Sequence, residues 1–290
     1  MWAFAATFAL GPEEDSMFAR SRIRLLASVA AAVGLAPVPA WARAQSVGYE
    51  YKRAAGVPAH VVTVNLNDRD VRVAVLVAAG GIGRNESFRS MLRRTRPTAA
   101  ITGTYFGIAN LQPTGDLVID GDRVHQGRIG TAICFTDENM VFFRPHRRAS
   151  KKNYEGCKFA VEGGPRLLAG GEIVVDPRAE GFRDPALFRP NPRTAIGLTA
   201  HNKLLLVAVT RPIYLSDLAR MLKQLGAVDA VSLDGGSSTA LWYRGKYPAT
   251  PRRALTHIIA VYESQYAYQK WYPGASEAVA GKDEGSAPGS

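Results

Sequence analysis

Between residue 45 and about residue 265 the sequence is a succession of short apolar and β-branched runs separated by Gly, Asn and Asp. Such runs are typical of β-strands, and the residues between them are those that turns require. We predict hairpins over residues 60–77 and 194–210, around an Asn-Asp and a His-Asn turn. The pattern therefore predicts a single strand-rich α+β domain over residues 45–265, with a large mixed β-sheet and a few helices. Residues 266–290, rich towards their end in Gly, Ala, Ser and charge, are expected to form a disordered tail.

One stretch of the domain has a clear helical period. Its apolar positions recur at i, i+3, i+4 and i+7 and so form one stripe that faces the core. They are Leu218, Met221, Leu222 and Leu225. Ser216 is expected to cap the start of this helix and Gly226 to end it. A shorter helix is predicted over residues 87–94, and residues 228–233 are predicted to form a buried strand that leads directly into Asp234.

The first 44 residues are expected to lie outside the domain. Residues 17–44 have the pattern of a secretory signal peptide, in which arginines precede an apolar stretch at residues 25–35 and a small-x-small cleavage site follows at residues 42–44. The apolar stretch is shorter than the roughly 20 residues that span a bilayer, so no stable membrane anchor is expected. Residues 1–16 are interpreted as an over-extended reading frame. The mature protein is thus predicted to be periplasmic or secreted, the alternative being that residues 25–35 form a buried helix.

The chain carries 36 Lys and Arg against 25 Asp and Glu, a formal net charge of +11. The one dense basic run lies at residues 144–152, and no zinc-finger spacing, basic helix or RNP-type aromatic pattern accompanies it. Nucleic-acid binding is therefore not expected, whereas a basic surface suits acidic glycans or sugar phosphates. The two cysteines, Cys134 and Cys157, would pair once in an exported protein or remain two free thiols.

The segment after the last predicted strand is the most informative one for function. Asp234 is followed by Gly235 and Gly236 and then by Ser237 and Ser238. Ligands collect at strand ends, glycines let the backbone approach a ligand closely, and hydroxyl groups donate to phosphate or sugar oxygens. The segment is therefore a candidate site, and a polar turn capped by the carboxylate is the alternative.

Two other strand ends carry charged side chains. Glu162, which precedes Gly163 and Gly164, is a candidate second carboxylate for cleavage of a glycosidic bond, although a lone Glu at such a turn is more often simply exposed. Arg193 at the start of a strand suits bidentate recognition of a phosphate, or it forms a structural ion pair, for example with Asp234.

A further strand end carries Thr102 and Gly103, followed by Tyr105 and Phe106, whose rings belong either to the core or to a sugar-stacking surface. No Gly-x-Ser-x-Gly elbow is present, which argues against a serine hydrolase. No His-x-x-x-His or Cys-x-x-Cys spacing supports a zinc site, and a hard cation held by Asp234 has no ligand spacing to support it either. We therefore expect no cofactor.

Five short motifs follow one another in a fixed order within residues 55–262. They are Thr102-Gly103-Thr104-Tyr105-Phe106, Gln112-Pro113-Thr114-Gly115, Gly163-Gly164-Pro165-Arg166-Leu167, Pro192-Arg193-Thr194-Ala195-Ile196-Gly197 and Leu233-Asp234-Gly235-Gly236-Ser237-Ser238. In this order they resemble the phosphodiester glycosidase family. The chain departs from the family at Thr102, where Asn is usual, and at Glu162, where a small residue is common.

The resemblance implies an exported hydrolase that cleaves the glycosidic bond of a sugar 1-phosphodiester in envelope or extracellular glycans. It implies a catalytic role for Asp234, as base or electrostatic stabiliser, and Glu162 stays the candidate partner carboxylate from its position at a strand end. The implied substrate-binding residues are Arg193, Gly235, Gly236, Ser237, Ser238, Thr102, Gly103, Gly163 and Gly164. The alternatives are a non-catalytic envelope protein that binds a glycan or a phosphorylated polymer, and a phosphoesterase that cleaves the P–O bond.

Overall fold

A computed structural model of the protein describes residues 45–145 and 153–274, which form seventeen β-strands and three α-helices. The strands are β1 (Val47–Ala54), β2 (Val57–Asn65), β3 (Arg72–Val77), β4 (Ala99–Thr102), β5 (Leu117–Ile119), β6 (Asp122–His125), β7 (Thr131–Phe135), β8 (Val141–Pro145), β9 (Phe159–Gly163), β10 (Arg166–Ala169), β11 (Glu172–Ile173), β12 (Asn191–Thr199), β13 (Lys203–Ile213), β14 (Ala227–Leu233), β15 (Leu241–Tyr243), β16 (Lys246–Ala249) and β17 (His257–Tyr262). The helices are α1 (Phe88–Thr95), α2 (Leu215–Gln224) and α3 (Gln265–Trp271). These elements confirm the α+β class. The expected signal peptide lies outside the described residues.

The described strands form three sheets. The largest has seven strands in the order β1-β2-β13-β12-β14-β10-β11, and the two five-stranded sheets have the orders β16-β15-β4-β17-β3 and β6-β5-β9-β7-β8. The large sheet was predicted to be mixed, but its described strand pairs are all antiparallel. The unit β13–α2–β14 does supply two strands that run in the same direction. They are not neighbours, because β12 lies between them and pairs antiparallel with both.

One of the two predicted hairpins is confirmed. Strands β12 and β13 pair antiparallel with Leu198 opposite Leu204, and Asn202 adopts a left-handed conformation in the turn. The other hairpin is wrong, because β2 pairs with β1 and β13 while β3 pairs with β17 in a different sheet. An Asn-Asp turn reverses the chain in either arrangement, so the turn residues alone do not determine the partner strand.

Side chains along the central strands of the large sheet point alternately to its two faces, and each face packs into its own hydrophobic core. On β13, Leu204 and Leu206 pack into one hydrophobic cluster, whereas Leu205 and Val207 pack into another on the opposite face. This period of two is the geometric property of a strand. The first cluster joins the large sheet to residues of the two smaller sheets. Helix α2 covers the second cluster with its predicted apolar stripe, and the large sheet is therefore buried on both faces.

The ends of the helices follow local capping chemistry. Ser87 caps α1, because its side-chain oxygen accepts a hydrogen bond from the Ser90 N–H. Helix α2 begins before the predicted cap at Ser216, since the Asp217 carboxylate accepts from the Tyr214 N–H and places Ser216 in the first turn. Gly226 ends α2 with a φ of 88°, as predicted.

The described chain continues past residue 265, where the domain was expected to end. Helix α3 is followed by Tyr272, whose hydroxyl donates to Asp120 at 2.8 Å and whose ring meets Phe159 edge to face. These contacts attach residues 265–272 to the domain, and residues 275–290 lie outside the described part of the chain. In the part of the chain that the structure covers, no helix is long and apolar enough to cross a membrane.

Cys134 on β7 and Cys157 form a disulfide across 23 positions of sequence. Because the crosslink restricts the unfolded chain, its loss should lower the free energy of unfolding by about 3 kcal/mol. We expect urea unfolding with and without dithiothreitol to show this decrease. The Cys134→Ala, Cys157→Ala double variant should unfold at the same urea concentration in both conditions, and a wild-type midpoint that does not respond to reductant would contradict the prediction.

Candidate active site

A cavity of about 510 Å³ opens at the end of the large sheet where several loops meet. Thr194 on β12 pairs with Leu233 on β14, so the start of β12 and the segment after β14 lie side by side. The cavity wall includes Tyr105, Phe106, Ile129, Phe182, Asp184, Leu187, Asn191, Arg193, Asp234, Gly235, Gly236, Ser237 and Arg253. The wall is thus apolar and aromatic on one side, and polar around the end of β14.

Asp234 is held in the wall of this cavity with its side chain only 7% exposed. Its N–H donates to the Gly103 carbonyl at 3.0 Å, and its own carbonyl accepts from the Thr194 hydroxyl. Burial raises the pKa of Asp234, while hydrogen bonds from Ser238 and the Gly235 N–H and the charge of Arg253 favour the ionised form. The result is a fixed carboxylate that is more basic than an exposed Asp.

Arg253 is the charged partner of Asp234. Its Nη2 donates to the Asp234 carboxylate at 2.9 Å, and its Nε donates to the Ser238 hydroxyl oxygen at 2.5 Å. The guanidinium carbon lies 4.3 Å from the centre of the Phe106 ring, in cation–π contact. The remaining nitrogen, Nη1, has no acceptor among the described residues. Arg253 therefore presents a free donor beside the carboxylate, and Ser238 stands behind the pair.

Arg193 lines the cavity, but its hydrogen bonds go to backbone carbonyls. Its Nη2 donates to the carbonyls of Ala186 at 3.0 Å and Arg189 at 2.7 Å, and its Nε donates to that of Ile213 at 3.3 Å. Burial lowers the pKa of Arg193, and the nearby Tyr105 and Asp184 oppose that shift. These contacts tie the cavity wall to the sheet. The suggested ion pair with Asp234 does not form, because Arg253 occupies that place.

Glu162 lies outside the cavity wall. It is 1% exposed on β9, and its two carboxylate oxygens accept from the Asp116 N–H at 2.8 Å and from the Tyr154 hydroxyl at 3.0 Å. The alternative of an exposed acid is wrong, since the side chain is buried and hydrogen-bonded. Its position also argues against the predicted catalytic role, because it organises the packing of β5 and β9 instead. The second carboxylate in the cavity wall is Asp184.

The remaining predicted residues divide into two groups. Gly235, Gly236 and Ser237 line the cavity, and the N–H groups of Gly236 and Ser237 have no acceptor in the described chain, so they are available to an anion. Four residues do not line the cavity but pack behind it. They are Thr102, Gly103, Gly163 and Gly164. A side chain at Gly103 would overlap His257, and one at Gly164 would overlap Phe182, so both glycines are required for close packing.

Glu180 lies in the loop that carries Phe182 into the cavity wall. One carboxylate oxygen accepts from the Arg166 N–H at 2.8 Å, and the other is buried without a hydrogen-bond partner in the described chain. Burial raises the pKa of Glu180 to about 7, and Arg166 only partly opposes this shift.

This pKa predicts a pH-dependent effect of Glu180→Gln. Between the unfolded value of 4.5 and about 7, the unfolded chain releases the Glu180 proton before the folded protein does, so this group lowers stability as pH rises. The variant should therefore gain melting temperature relative to wild type at pH 8 and show a smaller gain at pH 4. Thermal unfolding at both pH values checks this, with the exposed Glu172→Gln as matched control. An equal gain in melting temperature at both pH values would contradict the raised pKa of Glu180.

The sequence did not predict several side chains of the cavity, among them two charged residues and one aromatic residue. Arg253, Asp184 and Phe182 come from loops, where a charged or aromatic residue gives no periodic signal. Within residues 45–145 and 153–274, no group of three or more His, Cys, Asp or Glu side chains is placed to hold a metal ion.

The fold is shared with solved structures of low sequence identity. A protein from Synechocystis superposes with a TM-score of 0.65 at 17% identity, over 76% of this chain and 64% of its own length. Zebrafish N-acetylglucosamine-1-phosphodiester alpha-N-acetylglucosaminidase, solved as a catalytic domain auto-inhibited by its pro-peptide, gives 0.59 at 21% identity, over 74% and 81%. A protein from Burkholderia pseudomallei gives 0.56 at 14% identity, over 71% and 74%. This chain thus spans less than two thirds of the Synechocystis protein.

A comparison with curated proteins found no match. The phosphodiester glycosidase family model matches residues 95–262, which is more than half of the chain. The matched region contains every residue of the cavity wall and the Asp234–Arg253 pair. The order of motifs, the fold and this match agree, and the chain belongs to the phosphodiester glycosidase family.

Proposed function

We propose that this protein is a hydrolase that cleaves the bond between the anomeric carbon and the phosphate oxygen of a sugar 1-phosphodiester. The observation that carries the proposal is the Asp234–Arg253 pair, which places a buried carboxylate and a free guanidinium donor side by side in one cavity. Membership of the family and the shared fold support a glycosidase-type reaction.

The chemistry of the leaving group matches this arrangement. A phosphomonoester has a second pKa of roughly 6, so it departs far more easily than a sugar alcohol and needs little help from a general acid. The site must then stabilise positive charge on the sugar and place a water molecule. One basic carboxylate performs either task, and Asp234 is a buried carboxylate of the cavity wall that Arg253 holds in place.

The phosphate is held, on this proposal, by donors around the end of β14. Arg253 offers Nη1, and the N–H groups of Gly236 and Ser237 have no acceptor within the described chain. A phosphate oxygen prefers such charge-assisted and backbone donors. Arg193 contributes positive charge within the wall, although its own hydrogen bonds go to backbone carbonyls.

The sugar occupies the aromatic side of the cavity. The rings of Tyr105 and Phe182 meet edge to face at 6.0 Å, and Phe106, Ile129 and Leu187 extend this apolar surface. A pocket with an apolar wall and a few convergent polar groups is typical of small-molecule sites.

We also propose that the chain is exported and acts on envelope or extracellular glycans. The signal-peptide pattern at residues 17–44 supports this, and so does the Cys134–Cys157 disulfide, since such bonds persist in oxidising compartments. N-terminal sequencing of the secreted protein should find a start near residue 45, and a start at Met1 or Met17 would contradict export.

The decisive experiment measures release of free sugar from aryl-phosphate and uridine-diphosphate sugars in ¹⁸O-labelled water. Sugar release with an unlabelled phosphate product means cleavage of the C1–O bond and supports the proposal. Label in the phosphate product would mean P–O cleavage and would overturn it. Binding of several donors without turnover would favour the non-catalytic alternative.

A further inference from the structure

Two further cavities adjoin the active-site cavity around the loop at residues 250–254. One, of about 510 Å³, shares Asn191 and Gly236 with the active site. The other, of about 370 Å³, shares Arg253 with the active site and Arg252 with the first. The three cavities are therefore neighbours, and both additional ones begin at residues to which the phosphate is assigned.

The two additional cavities differ from the active site in charge. No described residue that lines either of them is acidic, whereas Arg89, Arg252 and Arg253 are cationic. The Arg89 guanidinium carbon lies 5.0 Å from the centre of the Tyr247 ring, which orients it. Arg252 is exposed, and its backbone N–H donates to the Ser237 carbonyl at 2.7 Å, which fixes the loop against the active site.

We infer that these two cavities bind the chain attached to the phosphate side of the scissile bond, and that this chain is an anionic phosphate-bearing polyol or glycan. The inference rests on the proposed function. The phosphate is assigned to Arg253 and Gly236, and each of these residues also lines one of the additional cavities, so the group on the second ester oxygen has space to extend into them. Volumes of about 300 to 1,000 Å³ are typical of small-molecule sites, so each cavity is large enough for one repeating unit of such a chain.

The charge arrangement explains why a polymer fits better than a single small leaving group. Arg89 lines only the second additional cavity and not the active site, so a ligand that contacts both must extend past Arg253. Repeating phosphates would meet Arg253, Arg252 and Arg89 in turn, and a planar guanidinium is the side chain best suited to phosphate. The net charge of +11 would also attract such a chain from a distance.

The test uses a fluorescent poly(glycerol phosphate) that carries no sugar, so its binding does not depend on catalysis. Fluorescence anisotropy should show binding to the wild-type protein that weakens as NaCl is added. The Arg89→Gln, Arg252→Gln double variant should bind about tenfold more weakly at low salt, or about 1.4 kcal/mol, because it lacks two exposed cationic side chains of the additional cavities. Arg69→Gln removes an exposed arginine that lines none of the three cavities and should bind like wild type.

Binding of the double variant equal to that of wild type would overturn the inference. So would tighter binding of a single-stranded oligonucleotide of equal charge, which would point to nucleic acid instead. Absence of sugar release from every phosphodiester would refute the proposed function alone, because the probe contains no glycosidic bond. If both proposals hold, the double variant should lose kcat/KM on a polymer-linked sugar phosphate and retain it on a short aryl-phosphate sugar.

Discussion

Asp234→Asn is expected to lower kcat on a sugar 1-phosphodiester by more than about 100-fold while the fold is retained. The amide has nearly the shape of the carboxylate, and its oxygen still accepts from Ser238 or Arg253. It carries no negative charge and cannot accept a proton, so it neither activates water nor stabilises positive charge on the sugar. Turnover measured with substrate in excess, together with the circular dichroism spectrum, checks both parts of the expectation.

Glu162→Gln is the matched control for this experiment, because sequence reasoning assigned both carboxylates to catalysis. Glu162 lies outside the cavity wall and is hydrogen-bonded to the Asp116 N–H and the Tyr154 hydroxyl. Its replacement should therefore affect the free energy of unfolding more than kcat. Full activity of the Asp234 variant would refute the assignment, and a 100-fold loss in Glu162→Gln with unchanged stability would restore Glu162 to the active site.

The pH dependence of kcat/KM is a second test of the role of Asp234. Burial raises its pKa above the ordinary value for Asp, and the ionised form is the one that acts as base or stabiliser. The kcat/KM of the wild-type protein should therefore rise with pH through that pKa.

The parts of the fold that were predicted correctly depend on local patterns. Helix α2 has a period of 3.6 residues and a glycine stop at Gly226, and the β12–β13 hairpin joins two strands that are neighbours in sequence. The pairing of β3 with β17 joins segments about 180 residues apart, and nothing in a short window specifies such a partner. The same limit applies to β13 and β14, which follow one another around α2 but are separated in the sheet by β12.

The site was predictable to the extent that it follows the strand ends. Asp234, Gly235 and Gly236 stand directly after a buried strand, which is a recognisable signal. Arg253 lies in the loop between β16 and β17 beside another arginine. Two adjacent arginines in a loop are usually exposed to solvent. Its role becomes visible only when the loop folds back against β14. Glu162 shows the opposite case, because its partners Asp116 and Tyr154 both lie outside strands and Asp116 is 46 positions away in sequence.

Gly103→Ala is expected to lower the free energy of unfolding by about 3 kcal/mol and to reduce kcat as well. A methyl group at this position would overlap the imidazole of His257, which is buried and fixed. The His257 Nε2 accepts from the Thr104 N–H at 2.9 Å, so the neutral ring carries its proton on Nδ1 and donates it to the Thr256 hydroxyl oxygen at 2.8 Å. Burial lowers the pKa of His257 to about 3, which keeps the ring neutral near pH 7.

The expected loss of activity follows from one further bond. The Gly103 carbonyl accepts from the Asp234 N–H at 3.0 Å, so a displaced Gly103 also displaces the carboxylate. Urea unfolding and turnover measure the two effects. Gly48→Ala is the control, since no neighbouring atom lies within 4 Å of the place that its new methyl group would occupy, and it should change neither quantity.

A double-mutant cycle tests whether Gly103→Ala acts through overlap with His257 or through the backbone conformation of residue 103. His257→Ala alone should destabilise the protein, because it leaves the buried Thr104 N–H without an acceptor. It also removes the atoms that the new methyl group would overlap. The Gly103→Ala, His257→Ala double variant should therefore be less destabilised than the sum of the two single variants, by at least about 1 kcal/mol. If the two single effects on the free energy of unfolding simply add, the methyl group does not overlap His257 in the folded variant. Overlap with His257 would then not explain a displacement of Asp234.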